Sequence, residues 1–204
     1  MLAYRPVFFA LLSSTLSSMK GLMTSLAPRV SLNISRQMKP TNFFAAAREC
    51  CGQGGALVLG SRNRLFNVFS LNDYTRLEVE LGVLGVLVCE AMALQSSLTT
   101  EAAFLALRRY ERVDPQPDRH PVTGIPVETR YQYTPADLTY RMRHCGLAAR
   151  TLFPAHFHGL PPKVKDERPQ LHSEIALAAA EFGFRDHRLV PFSSTFVIEA
   201  RREE

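Results

Sequence analysis

Apolar and polar positions follow two different periods along this chain, and the switches between them mark its elements. Over residues 72–94 the apolar residues Tyr74, Leu77, Leu81, Leu84, Val88, Ala91 and Leu94 fall three or four apart, with Asp73, Arg76, Glu78 and Glu80 on other faces. That is an amphipathic helical pattern, which Gly82 and Gly85 divide in two. Residues 56–60 (ALVLG) form instead a short continuous apolar run between glycines, as expected of a strand covered on both faces. Ahead of it, Asn42 can cap a helix through Phe43, Phe44 and Cys51 that Gly52 to Gly55 would stop. Helix, glycine turn and buried strand make half of a right-handed α/β crossover.

Further along, Thr99 precedes Glu101 as the cap of a helix reaching Tyr110. Residues 114–126 carry four prolines and predict a loop. Thr134-Pro135-Ala136-Asp137 combines a hydroxyl cap, a first-turn proline and an acid near the positive helix end, and Gly146 closes that helix. Residues 147–157 read as a strand, 161–169 as a polar loop, 170–182 as a helix and 194–200 as a closing strand. The expected class is α/β.

The net charge of +5 on 204 residues suggests anionic partners until the charges are located. Residues 1–40 contain Arg5, Lys20, Arg29, Arg36 and Lys39 and no acid, leaving 19 basic and 19 acidic residues from Thr41 onward. The expected organisation is therefore an acid-free, Ser/Arg-rich leader over 1–40, disordered or foreign to the fold, and a neutral domain over 41–204. A neutral body argues against nucleic acid. The leader composition fits organellar import, a weak secretory signal, or a mis-started or frame-shifted segment. Its apolar run is far short of the ~20 residues a spanning helix needs, so no membrane anchor is expected. The four cysteines show no disulfide framework or C-x-x-C metal knuckle, which suits a reducing, cytoplasmic setting.

Candidate chemistry gathers at strand ends. Arg62, Asn63 and Arg64 follow the 56–60 strand at its carboxyl end, where α/β folds place ligands; an amide and two guanidinium groups suit a polar or anionic ligand, or simply a solvated turn. His156 and His158 flank Phe157, so continued strand geometry would put both imidazoles on one face. They are candidates for a general base, or for hydrogen-bonded histidines at a strand end; a metal pairing with His172 or His187 lacks a carboxylate or Cys at ligand spacing. Tyr131 and Tyr133 precede the Thr134 cap, where they could line the same mouth or staple the helix to the core.

The order of these motifs is similar to a known family. FFAAARECCGQGGALVLGSRNRLFN (43–67) resembles the helix, Gly-Gly turn and fifth strand of class I S-adenosylmethionine-dependent methyltransferases. YTPADLTYRMRHCGLAARTLF (133–153) resembles the next helix and sixth strand, and SSTFVIEA (193–200) the final strand. The resemblance implies the last three strands of a Rossmann-like sheet, with the final strand antiparallel and inserted between the fifth and sixth, and a helical cover over 72–112. It also implies S-adenosylmethionine as methyl donor and a small-molecule acceptor. The family's GxGxG turn and ribose-binding acid are absent from the sequence, so the implied enzyme lacks its cofactor-binding half, and whether the chain is an enzyme is left open. A sheet without those strands would expose its fifth strand as an edge, allowing self-association; a non-catalytic module pairing through that edge is the alternative.

Overall fold

The computed structural model describes residues 7–11, 40–50, 55–110, 113–118 and 130–203. Its centre is β2 (Ala56–Asn63), the apolar run extended by three polar residues. β6 (Ser193–Arg202) lies antiparallel along one side of β2, and β5 (Leu147–Phe157) lies antiparallel to β6 on its far side. β5 therefore runs parallel to β2 with β6 between them, in a mixed open sheet.

The other side of β2 is also occupied, which corrects the expected exposed edge. β1 (Val7–Leu11) pairs parallel with residues 56–60, and β4 (Arg130–Tyr133) pairs parallel at Arg62 and Asn63. The five residues of β1 belong to the acid-free segment; Val, Phe, Phe, Ala and Leu in sequence satisfy a strand as readily as one side of a helix. Residues 1–6 and 12–39 of the expected leader lie outside the described residues.

Register sorts the side chains into two faces. Leu57, Ala200 and Ala149 share a row, followed on the same face by Leu59, Ile198 and Leu152. These rows join one buried cluster with Phe43, Phe44 and Ala47 of α1 (Pro40–Cys50), Leu87 and Leu94 of α4 (Leu84–Ser96), Phe104 and Leu107 of α5 (Thr100–Leu107), and Leu138 and Met142 of α6 (Pro135–His144). The opposite rows are less covered: Val58, Glu199 and Thr151 are half-buried, as are Arg62 and Ala155.

Local chemistry explains most boundaries. Asn72 and Thr75 form a reciprocal capping box for α3 (Asp73–Glu80), and the chain turns at Gly82, φ +69°. Gly85 does not break the chain; it lies inside α4. The Thr99 and Thr134 hydroxyls accept from the amides of Ala102 and Asp137. Gly146 adopts φ +71° after α6, the left-handed cap glycine tolerates best.

Several expectations fail for physical reasons. α1 begins at Pro40, so Asn42 is inside it; proline suits a first helical turn. The same preference starts α7 (Pro162–Glu167) where a polar loop was expected, and α8 (Pro169–Gly183) follows directly. Within the proline-rich loop, β3 (Gln116–Asp118) pairs antiparallel with β4, an outer position that tolerates Pro117; residues 119–129 lie outside the described residues. Two short elements had no sequence signal, α2 (Phe66–Ser70) and the 3-10 helix η1 (His187–Phe192). Among the described residues no helix is long and apolar enough to cross a membrane.

Candidate functional site

The carboxyl ends of β2 and β4 hold a buried polar network. Asn63 donates from Nδ2 to the carbonyls of Val190 (2.7 Å) and Ser193 (2.8 Å), and its Oδ1 accepts from the Leu65 amide at 3.0 Å. Both N–H groups of its amide thus tie β2 to η1 and β6 and its oxygen braces the turn that follows β2, a correction to its expected role at a ligand.

Arg64 is corrected likewise. It is 1% exposed, and the anion it grips is internal: Nε lies 3.0 Å from Oε1 and Nη2 2.6 Å from Oε2 of Glu78, itself fully buried. Nη1 donates to the Asp114 carbonyl, and Asn67 bridges Glu78 Oε1 (2.8 Å) to Gln132 Oε1 (2.7 Å). Glu78 thus faces inward, against its expected place on a solvated face of α3. Three of the five guanidinium N–H groups and both carboxylate oxygens are engaged, which offsets the cost of taking the pair out of water.

Deeper in, Glu90 of α4 accepts from the Ala136 amide at 2.8 Å, taking up a free N–H of the first turn of α6. Burial pushes its carboxyl up to about 7, against the opposing effect of that hydrogen bond. Asp137, also fully buried, accepts from Arg141 Nε at 2.8 Å. Tyr133 is in this core, not at a mouth: it is 3% exposed, burial raises its phenol to about 12, and the Arg141 guanidinium lies 5.9 Å from its ring centre. Tyr131, 6.5 Å from Tyr133 between ring centres, stays largely exposed.

A second group forms where β5 ends. His156 has φ +54°, a left-handed conformation rare outside glycine, and its carbonyl accepts from Ser194 Oγ at 3.3 Å. This breaks the strand alternation, so the expected sharing of one face by His156 and His158 fails: His156 is exposed, and His158 lies beyond the strand, half-buried. The His158 ring sits 4.6 Å from Phe66 and 5.5 Å from His172 between centres. Burial first, then the charges of Lys165, His172, Arg62 and His156, lower its pKa to about 4. His172 Nδ1 accepts from the Leu160 amide at 3.2 Å, and Gly159 permits this approach, since a Cβ there would lie 2.5 Å from the His172 carbonyl.

The structure therefore brings Arg62, His156 and His158 into one basic neighbourhood, His156 exposed and the other two half-buried, and puts Asn63, Arg64 and Tyr133 into the framework beneath. His187 is likewise structural, with Nε2 3.0 Å from the Ser97 carbonyl. No group of three or more His, Cys, Asp or Glu side chains able to hold a metal occurs among the described residues. Neutral His158 can accept a hydrogen bond throughout the physiological range, but with a pKa near 4 it holds a captured proton weakly.

This has a testable consequence. A histidine whose folded pKa is depressed is protonated preferentially in the unfolded chain, so its contribution to stability is lost as pH falls from about 6.5 toward 4. NMR titration should show the His158 ring still neutral at pH 5, and His158→Gln should flatten the acid limb of the stability profile. A ring half-protonated near pH 6.5 would refute the burial argument.

No protein-family model matches the chain, and no curated protein matches it.

Proposed function

We propose that this chain is a class I S-adenosylmethionine-dependent methyltransferase-like protein, comprising the acceptor side of a Rossmann-like fold and lacking the donor-binding half. The observation that carries the reading is the position of β6, antiparallel between the parallel strands β2 and β5. The half-buried sheet rows around Val58 and Ala155 agree with a sheet short of covering elements, and the absence of a GxGxG turn agrees with a missing donor site.

In a complete relative, methyl transfer would break the sulfonium carbon–sulfur bond as the acceptor nucleophile forms its bond to the same carbon. Such a displacement depends chiefly on alignment. Arg62, His156 and His158 are the acceptor-side residues of the reading, Arg62 orienting an anionic or polar group and a histidine receiving an acceptor proton. Arg64 and Asn63 hold the strand end on which these groups stand.

Translating the encoding nucleotides upstream of codon 41 in the other two frames tests the reading. An apolar strand followed by GxGxG is expected; its absence from both frames overturns the truncated-methyltransferase proposal. Calorimetric titration of the chain with S-adenosylmethionine should give no saturable heat, and tight binding would contradict the missing donor half.

The second reading, a non-catalytic interaction module, no longer has the β2 edge on which it relied. One observation still favours it: α8 leaves Leu177 70% and Phe182 84% exposed, more apolar surface than a helix turned wholly toward its own sheet would show.

A further inference from the structure

At the pole opposite His158, where β5 begins and β6 ends, a groove of about 990 Å³ runs between these strands and helices α5 and α6. Phe104, Leu105 and Leu147 give it an apolar floor, and five arginines line it: Arg108, Arg143, Arg150, Arg201 and Arg202. Among the described residues, two carboxylates join them, Glu101 and Glu203. Arg201 is held by Glu199, with Nη2 to Oε1 at 3.0 Å; the other four arginines have no ion-pair partner among the described residues.

Two of the four have a structural use. Arg108 and Arg143 stand at the C-terminal ends of α5 and α6, where a cation offsets the helix dipole. Arg150 and Arg202 are on strands, where no dipole calls for them, and Arg150 is the extra residue at the irregularity between Ala149 and Thr151. Guanidinium groups directed from two helices and two strands into one groove suit a ligand with several anionic oxygens. The groove is of the size that takes a small molecule, and the rest of 41–204, with 14 basic and 17 acidic residues, offers no field for tracking a nucleic-acid backbone.

We infer that this groove binds a compact oligophosphate carrying an apolar or aromatic body, the phosphates against Arg150 and Arg202 and the body on Phe104 and Leu105. The site is independent of the methyltransferase reading, lying at the other end of the strands.

Calorimetric titration of the full chain with ATP and with inorganic tripolyphosphate is the test. ATP should bind at micromolar concentration and more tightly than tripolyphosphate, because only ATP has a body for the floor. Arg150→Glu with Arg202→Glu should weaken ATP by at least about tenfold without moving the unfolding midpoint. Unchanged ATP affinity in the double variant, or equal affinities for ATP and tripolyphosphate, would overturn the inference. So would tighter binding of a decaglutamate peptide or a single-stranded DNA 12-mer, each pointing to a macromolecular anion instead.

Discussion

Glu78→Ala should destabilise the protein by about 3 to 5 kcal/mol, the cost of stranding a guanidinium in a site from which water is excluded. Arg64 cannot swing out: it is 1% exposed, is bound to the Asp114 carbonyl, and stands at the end of the central strand. Asn67 would lose its carboxylate acceptor as well, loosening its link to Gln132 on β4. A loss of that size is a large share of the 5 to 15 kcal/mol typical of a domain, so the single variant should be largely unfolded at modest urea. Replacing both partners, Arg64→Met with Glu78→Leu, should recover much of the loss, since two apolar residues of similar volume leave no charge unmatched. Urea midpoints for the two single variants and the double variant decide the matter. A Glu78→Ala loss below about 1 kcal/mol would mean that water reaches the pair.

Glu90→Gln should act in the opposite direction and only above a certain pH. The folded-state pKa of Glu90 is raised from 4.5 to about 7, so the folded protein prefers the protonated carboxyl. Its contribution to stability is complete below the ordinary carboxylate range and is lost as pH rises through about 7, a change of about 3 kcal/mol across the window. Glutamine keeps an oxygen for the Ala136 amide and cannot ionise. The variant should match wild type near pH 4.5 and exceed it at pH 8.5, the gap between the two widening across that window while the His158 contribution stays common to both. Parallel profiles for the two proteins would show that Glu90 is not the titrating group. Taken with His158, whose proton uptake in the unfolded chain erodes stability toward acid pH, stability should peak in mildly acidic solution.

The parts of the fold legible in the sequence were those set by local chemistry. β5 runs over 147–157 as read, because Gly146 ends the preceding helix and Leu147, Leu152, Phe153 and Phe157 supply apolar positions along it. The Thr99 and Thr134 caps and the start of α3 at Asn72 need only a side-chain oxygen near the first free amides of a helix. What was not legible depends on distant partners. Glu78 looks like any acid on the polar side of α3, and nothing in its neighbours announces that Arg64, fourteen positions earlier, is aimed at it. Glu90 did leave a signal, a lone acid inside LGVLVCEAMAL, where a charge among apolar residues on every face of a helix has to be buried. α7 and η1 are too short to declare themselves by periodicity. The expected left-right alternation of His156, Phe157 and His158 was a sound rule applied one residue beyond its range, since the backbone leaves the strand conformation at His156.

The pairing of β1 with β2 sets a condition on how this protein could be processed. Five backbone positions of β2, 56–60, have β1 as their neighbour on one side. A protease that removed residues 1–40, as an import peptidase would, strips this neighbour away and leaves amide and carbonyl groups in the middle of the sheet without a mate. The trimmed chain would then be a template for strand exchange with its own copies. Loss of β1 would thus exchange a strand pairing within the chain for one between chains.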